Sequence, residues 1–461
     1  MGENTIVSSD DIRSAFSMAV SDMYKAEVPA YGTLMSLVAS VNRTFLETNA
    51  EFRQRLEKTD SLNRLSQERH GAIRLGTAGE LATMRRIFAI MGMFPVGYYD
   101  LSEAGVPVHS TAFRPIGDAA LKRNPFRVFT SLLRLDLIAD VSLRVEAQRV
   151  LSERQIFTKK VLALTDKAER GGGLNREDAG SFVEELLETF RWHDKASIDI
   201  ELYHRLHDAH RLIADVVSFK GPHINHLTPR TLDIDAVQAQ MPEWGITPKA
   251  VVEGPPPRRC PILLRQTSFK ALEEQVSFRN SGGGWSSGLH TARFGEVEQR
   301  GIALTPKGRK LYDQLLNEVR EQVLPEANGS NSTEYEDCLS KVFAAFPDDW
   351  NSIRKEGLGY FSYSLSSAKA GDVSENDLEA LIETGVVRFD PIVYEDFLPV
   401  SAAGIFQSNL GDEAAQNFTA TPSQQMFEVA LGCPVLDEFE HYSAIEKSSV
   451  TQCFTSPGGS S

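Results

Sequence analysis

The sequence predicts an α/β (α+β) protein built from two βαβββ modules that curl into a half-barrel and are wrapped by helices. Two observations support this fold class. Two separate segments, 63–137 and 221–305, each carry one β-like run, one amphipathic helix and three further β-like runs in the same order. Two units of equal topology amount to an internal repeat, which indicates a fold more strongly than any single element does.

The elements of the modules follow from local pattern. The first module has a strand at 70–75, a helix at 78–91 and strands at 96–101, 106–115 and 126–137. The second has a strand at 223–233, a helix at 234–241 and strands near 250–252, 262–271 and 292–304. A proline-rich stretch at 253–259 and a Gly/Ser-rich stretch at 281–288 are predicted to be loops.

Helical patterns precede and separate the modules. Apolar residues recur at helical spacing over 10–26 and 31–58, and two long amphipathic stretches between the modules are broken by Gly171-Gly172-Gly173. The predicted parts are a helical N-terminal segment at 1–62, the first module at 63–137, a helical insertion at 138–220, the second module at 221–305 and a C-terminal region at 306–461 that completes the pocket.

Composition limits the classes of partner. The chain of 461 residues has 48 Lys and Arg against 63 Asp and Glu, a formal net charge of −15, which argues against nucleic acid and against an anionic membrane as the main partner. An anionic substrate would therefore need a local basic pocket. The four cysteines show no CxxC spacing, and the N-terminus has no basic region followed by an apolar core, so we predict a cytoplasmic protein.

Two segments carry histidines in positions typical of metal ligands. His70 and Arg74 share one face of a strand, because side chains two and four residues apart point the same way, and about 13 Å separates them along it. In the second segment His223 and His226 lie on opposite faces, since their separation is odd, so one of them can face a cavity. We predict His226, with His223 as a supporting or packing residue at the entry of the strand.

A third segment offers a carboxylate. Glu296 and Glu298 lie two residues apart in a predicted strand, so they share a face and periodicity leaves both open. One histidine from each of the first two segments and one carboxylate from the third form the two-histidine, one-carboxylate ligand set of non-haem Fe(II) oxygenases. Arg265 and Gln266, in a neighbouring predicted strand, can line the same cavity.

A family resemblance rests on four stretches of the sequence. They are Arg69 to Gly76, His223 to Arg230, Phe294 to Gly301 and Tyr394 to Phe406. On these stretches the chain resembles the 2-oxoadipate dioxygenase/decarboxylase family, also called 2-hydroxyglutarate synthase, a branch of the vicinal oxygen chelate superfamily. The run from Phe294 to Arg300 also resembles the one that carries the metal-binding glutamate of 4-hydroxyphenylpyruvate dioxygenase, which matches Glu296 to the ligand.

The resemblance implies a site and an activity. Its metal triad is His70, His226 and Glu296, which bind Fe(II) (Fe2+) inside the half-barrel and are the catalytic residues, so Glu298→Ala is expected to leave metal binding largely intact. Arg74 would hold a substrate carboxylate, although the sequence does not assign which one, and Val400 and Ser401 would line the substrate pocket. The implied reaction, in lysine catabolism, converts 2-oxoadipate and O2 to 2-hydroxyglutarate and CO2. The implied partners are a small 2-oxo dicarboxylic acid and O2.

Two alternatives remain open at this point. The same triad can serve another 2-oxo acid or a metal-dependent isomerisation, because a fold does not fix the chemistry of its site. A non-enzymatic small-molecule binding protein is the alternative of another class. Such a protein would be expected to lack a complete open triad, and the intact set of two histidines and one glutamate argues against it.

Overall fold

The structure is a computed structural model that describes residues 5–58, 61–280, 282–326, 328–366, 377–398 and 423–455. The chain forms two compact units. The first unit comprises Met1–Lys249, Gln266–Glu298 and Phe397–Leu436, and the second comprises Ala250–Arg265, Gln299–Asp396 and Asp437–Ser461. His70, Arg74, His226 and Glu296 all belong to the first unit.

Helices begin where side chains can satisfy the free amides of the first turn. Ser8 caps the first helix by accepting from the Asp11 amide, and Thr77 and Glu80 form a reciprocal capping box at the helix after the first strand. No helix within the described ranges is long and apolar enough to cross a membrane. The α-helices are Ser9–Glu27, Pro29–Thr48, Ala50–Lys58, Ser61–Gln67, Ala78–Ile90, Asp118–Arg123, Val141–Glu153, Lys159–Gly171, Arg176–Phe190, Ile200–Ala209, Arg211–Ser218, Ile234–Gln240, Pro306–Gln322, Ser332–Phe343, Trp350–Lys355, Leu378–Glu383, Gln424–Leu431 and Glu438–Thr455.

Short strands complete the secondary structure. They are β1 (Arg69–Leu75), β2 (Phe94–Asp100), β3 (Val108–Arg114), β4 (Arg127–Leu133), β5 (Lys195–Asp199), β6 (His226–Pro229), β7 (Leu264–Ser268), β8 (Glu273–Arg279), β9 (Trp285–Thr291), β10 (Glu296–Arg300), β11 (Phe361–Leu365) and β12 (Val387–Pro391). In the part of the chain that the structure describes, three short 3-10 helices lie at Ser102–Ala104, Leu135–Leu137 and Met241–Trp244.

The largest sheet has five strands in the order β2-β3-β4-β1-β6. Strand β1 runs parallel to β4, with His70 opposite Arg127, and antiparallel to β6, with Ala72 opposite His226. The strands β1, β2, β3 and β4 and the helix Ala78–Ile90 thus follow one another in the order predicted for the first module, but a short helix at Asp118–Arg123, which was not predicted, lies between β3 and β4. Because β1 has neighbours on both sides and is buried over nearly its whole length, even its polar side chains are withdrawn from solvent.

The second predicted module forms only in part. Its first strand, β6, joins the sheet of the first module. Strands β7 and β10 pair with each other in a separate two-stranded sheet. The prediction of a strand near 250–252 is wrong, since that segment forms none. The described residues thus show a mixed α/β fold of small sheets and helices.

Strand β9 (Trp285–Thr291) begins inside the Gly/Ser-rich stretch 281–288, which was predicted to be a loop. It pairs with β8 in a three-stranded sheet of order β5-β8-β9, and β5 lies inside the stretch that we predicted to be all helical. Gly288 explains why so polar a segment can pair, because a Cβ there would meet the ring of Phe278 at 2.7 Å. Packing across the strands therefore decides this element, and composition alone does not reveal it.

The core of the first unit joins the large sheet to the inserted helices. Ala72 on β1 and Phe129 on β4 belong to one buried cluster with Leu143, Leu212 and Val216 from the inserted helices. The insertion therefore covers a face of the sheet that carries the candidate site. Each of the four cysteines carries a free thiol.

Candidate active site

The three predicted metal ligands lie together. His70 on β1, His226 on β6 and Glu296 on β10 are all buried, and they offer ligand atoms that lie within 4.8 Å of one another. The two imidazole rings are perpendicular, with centroids 5.5 Å apart. Three chain segments that are far apart in sequence thus present two imidazoles and one carboxylate to a single point.

Backbone pairing brings these segments together. The antiparallel pairing of β1 with β6 sets the two histidine-bearing strands side by side. The end of β6 then continues beside β10, where Arg230 forms a bridge to Glu298 and the Thr231 amide donates to the Glu298 carbonyl at 2.7 Å. Gly295 precedes β10, and a Cβ at this position would clash with the Phe269 ring, so a larger residue would force either that ring or the strand to move.

Aromatic rings enclose both histidines. The Phe397 ring lies 4.9 Å from His70 and the Phe294 ring lies 4.8 Å from His226, measured between centroids. Such contacts restrict rotation of the imidazoles and exclude water from one side of the site. Buried, restrained side chains are what a binding site needs to keep a fixed geometry.

The His70 ring lies between two carboxylates of the same strand. Its Nε2 is 3.1 Å from Glu296 Oε1, and its Nδ1 is 2.9 Å from Glu298 Oε2. Periodicity places both glutamates on one face, and the structure shows that they approach opposite nitrogens of one ring. Glu296 Oε1 also accepts hydrogen bonds from Thr228 Oγ1 at 3.1 Å and from Gln266 Nε2 at 2.9 Å.

Burial and neighbouring charge affect the two histidines differently. Burial lowers the pKa of His70, but the carboxylates of Glu298 and Glu296 outweigh it, so the pKa lies above its ordinary value. The pKa of His226 lies well below its ordinary value, because of burial and the positive charges of His70 and Arg74. His226 is therefore held neutral, in the form that can bind a metal ion.

The site fits a divalent cation. Glu296 Oε2 and His226 Nδ1 are buried and have no hydrogen-bond partner among the described residues. Buried polar atoms of this kind are normally paired, and an ion among the three side chains would balance the carboxylate charge. Two imidazoles and a carboxylate are a ligand set that leaves further positions open on an octahedral ion, as in non-haem Fe(II) oxygenases.

A network of charged side chains extends from Glu298 away from the three candidate ligands. Glu298 Oε1 lies 3.7 Å from Arg127 Nη1, and Arg127 in turn donates to Glu68 at 2.7 Å. Glu68 also accepts from Arg64 and Arg230. Burial raises the pKa of Glu68, but the three guanidinium groups outweigh it and hold that pKa well below its ordinary value. Glu68, which directly precedes β1, is therefore ionised and pairs with Arg127 at the start of β4 and with Arg230 just after β6.

Arg74 is buried at the other end of β1. Only 2% of its surface is exposed, and Nη1 donates to Asp215 Oδ2 at 2.6 Å. Its charge is close enough to His226 to help lower the pKa of that imidazole. Arg74, which the resemblance assigns to a substrate carboxylate, is thus near the triad, but it already pairs with the carboxylate of Asp215.

The other predicted residues are placed as follows. His223 lies away from the triad, with Nε2 3.3 Å from Asp215 Oδ1, and its φ of 22° is unusual for a residue with a side chain. Gln266 contacts Glu296, whereas Arg265 Nε donates to the Pro255 carbonyl within the second unit. Val400 and Ser401, predicted to line the substrate pocket, lie outside the described residues.

Sequence reasoning missed three polar partners. Thr228 lies two residues after His226, so strand periodicity could have placed it on the same face. The pairing of Glu298 with His70 was hidden, because spacing puts Glu298 on the right face but does not say which atom it meets. Asp215 gave no signal, since it lies in an inserted helix, 141 residues from its partner Arg74.

Known proteins resemble this chain over nearly its whole length. A sequence model of the 2-oxoadipate dioxygenase/decarboxylase family matches residues 16–409. Two proteins of that name, from Pseudomonas putida and Escherichia coli, are each 56% identical to it; the first comparison covers 98% of both chains, and the second covers 97% of this chain and 98% of its relative. The crystal structure of hydroxyglutarate synthase from Pseudomonas putida in complex with 2-oxoadipate has a TM-score of 0.89 and 55% identity, covering 98% of both chains. The chain belongs to the 2-oxoadipate dioxygenase/decarboxylase family.

Proposed function

We propose that this protein is an Fe(II)-dependent dioxygenase and decarboxylase that converts 2-oxoadipate and O2 to 2-hydroxyglutarate and CO2. The observation that carries the proposal is the buried set of His70, His226 and Glu296, in a chain whose relatives bear the name of this activity. The 2-oxoadipate found in the Pseudomonas putida structure supports the choice of substrate. The atoms balance, because one O2 supplies the two oxygens that the products have beyond the substrate.

The triad would hold the ferrous ion. His70 and His226 would offer imidazole nitrogens and Glu296 would offer a carboxylate oxygen, a set of donors that suits Fe(II). When bound, the ion supplies Lewis acidity and a site at which the 2-oxo acid and O2 meet. The protein's part is to keep the three side chains in place, through Thr228 and Gln266 on Glu296 and through aromatic contacts on both imidazoles.

Three further residues are proposed to bind the substrate. Arg74 is a buried cation in a protein of net charge −15, and its planar guanidinium suits a carboxylate. Val400 and Ser401 are assigned to the substrate pocket on the family resemblance. The half-barrel of two vicinal-oxygen-chelate modules around the ion is part of the same proposal. We also propose that the protein is cytoplasmic and acts in lysine catabolism. The four free thiols support the cytoplasmic location.

Oxygen uptake with a panel of 2-oxo acids tests the function. With Fe(II) and 2-oxoadipate we expect one O2 consumed and one CO2 released for each 2-hydroxyglutarate formed, and no uptake without iron. Faster turnover of another 2-oxo acid would change the substrate. Conversion of a substrate without oxygen uptake would indicate an isomerase, and tight binding without conversion would indicate a binding protein; either outcome would reject the proposed reaction.

A first mutational prediction concerns Glu298. Its contact with Nδ1 of His70 restrains the ring, so that Nε2 would be the nitrogen offered to the ion. The structure therefore changes the expectation drawn from the sequence. Glu298→Ala should weaken Fe(II) binding by about 10- to 100-fold without abolishing it, as substitutions of such outer partners do. The measurement is a competition titration with a chelating dye under anaerobic conditions.

Glu298→Gln is the matched control. The amide oxygen of Gln can still accept from the His70 Nδ1–H group, so this variant should bind Fe(II) within a few-fold of the wild type. Equal losses from Ala and Gln would show that charge rather than ring orientation matters. Unchanged binding in Glu298→Ala would refute the role of Glu298.

A further inference from the structure

We propose that Asp215 is a positioning residue for substrate binding: it holds the guanidinium of Arg74 in the orientation that receives a substrate carboxylate. The inference deepens the proposed function and rests on it. It gives the inserted helix Arg211–Ser218, which carries Asp215, a role at the site. Neither the spacing of the sequence nor the family resemblance singled out this residue.

The contact between the two side chains is short and buried. Arg74 Nη1 donates to Asp215 Oδ2 at 2.6 Å, and the two residues are 2% and 4% exposed. An arginine side chain has many rotamers, but its five N–H groups lie in one plane. A carboxylate fixed at one edge of that plane therefore determines where the remaining donors point. Such an anchor lowers the entropy lost when a second carboxylate binds.

Asp215 is itself held from its other oxygen. Oδ1 accepts from His290 Nε2 at 2.9 Å and lies 3.3 Å from His223 Nε2. The hydroxyl of Tyr203 lies 2.9 Å from His290 Nδ1, which extends the network by one more side chain. All these residues are buried, so the carboxylate has fixed partners on both sides and cannot follow Arg74 if that residue moves.

Packing and backbone geometry reinforce the network. The Trp192 ring stacks on His290 at an interplanar angle of 9° and meets His223 edge-on, with centroids 4.8 Å apart. His223 adopts a φ of 22°, a conformation that residues with side chains rarely take and that persists where the surroundings demand it. The unusual φ of His223 therefore indicates that the surrounding contacts hold this residue in place beside Asp215.

A competing effect has the opposite sign. The carboxylate of Asp215 also neutralises Arg74, and removing that charge would leave a stronger attraction for a substrate anion. Burial raises the pKa of Asp215, but His223 and Arg74 outweigh it and hold the pKa well below its ordinary value, so the group is ionised. Positioning and neutralisation therefore predict opposite changes in KM, and a single variant distinguishes them.

The experiment compares Asp215→Asn, Arg74→Gln and the double variant as Fe(II)-loaded enzymes. Steady-state rates are measured with 2-oxoadipate and with 2-oxohexanoate, which has six carbons but no distal carboxylate. We expect Asp215→Asn to raise the KM for 2-oxoadipate about tenfold, a size typical of coupled contacting residues, while kcat stays within about threefold and Fe(II) affinity is unchanged. In the Arg74→Gln background the same substitution should change kcat/KM by less than about twofold.

The control separates positioning from a general loss of stability. Glu80→Gln removes a carboxylate charge from another buried pair of the first unit, Glu80 with Arg154 at 2.7 Å. It should lower the melting temperature without raising KM. If Asp215→Asn does not fold, Asp215→Glu keeps the charge but moves the oxygens by one methylene, and it should raise KM in the same way.

Each result decides the proposal. A lower KM in Asp215→Asn would show that neutralisation dominates, and an unchanged KM would show a structural ion pair; both overturn the inference. So would a penalty that persists in full in the Arg74→Gln background. If the wild type does not turn over 2-oxoadipate, the proposed function fails and the inference falls with it, whereas wild-type turnover with no KM change in Asp215→Asn rejects the inference alone.

Discussion

Glu296→Ala is expected to abolish iron binding and all iron-dependent turnover of 2-oxoadipate. The substitution removes the carboxylate from the two-histidine set and leaves an open ligand position in a buried site. Glu298 cannot replace it, because that carboxylate meets the opposite nitrogen of His70 and lies beside Arg127. The measurements are the iron content after anaerobic gel filtration and the rate of O2 uptake.

A pair of histidine variants provides the matched control for this prediction. His226→Ala should also lose the iron, since its imidazole lies beside His70 and Glu296. His223→Ala removes a buried imidazole of the same segment that lies next to Asp215 instead, so it should keep the iron. Stoichiometric iron in Glu296→Ala, or loss of iron from His223→Ala alone, would show that the triad is assigned wrongly.

Arg74→Lys is expected to lower kcat/KM for 2-oxoadipate by about one to two decades and leave iron affinity unchanged. The substitution keeps the charge but loses the planar fork, and the loss of one charge-assisted hydrogen bond costs about 1.5–3 kcal/mol. Iron affinity should not change, because Arg74 contacts Asp215 and is not one of the three candidate metal ligands. The measurement is kcat/KM beside the iron affinity of the same preparation.

Comparison of the two substrates shows which carboxylate Arg74 holds. If it is the distal carboxylate, Arg74→Lys should lose most of the preference for 2-oxoadipate over 2-oxohexanoate. If it is the carboxylate next to the 2-oxo group, both substrates should be affected alike. Rates that do not change for either substrate would show that Arg74 serves only its ion pair with Asp215, and the proposed clamp would be refuted.

Local pattern was sufficient for much of the fold. The spacing of polar and apolar residues depends on neighbours within a few residues, and the structure has the predicted N-terminal helices and, in the predicted order, the four strands and the helix Ala78–Ile90 of the first module. The second module was harder to predict, because its strands pair with other segments. β6 adds to the sheet of β1, and β9 pairs with β8, where the Phe278 ring leaves no room for a side chain at Gly288.

The sequence by itself determined the residue types of the candidate site and, through the spacing of strands, the faces on which they lie. It indicated His226 rather than His223, and the structure places His226 beside His70 and Glu296. Only the tertiary structure decided which atoms meet. It set the two glutamates at opposite nitrogens of His70 and brought Asp215 to Arg74 across 141 residues. The physical reason is that periodicity fixes the direction of a side chain along its own element, whereas its partners are fixed by how distant segments pack.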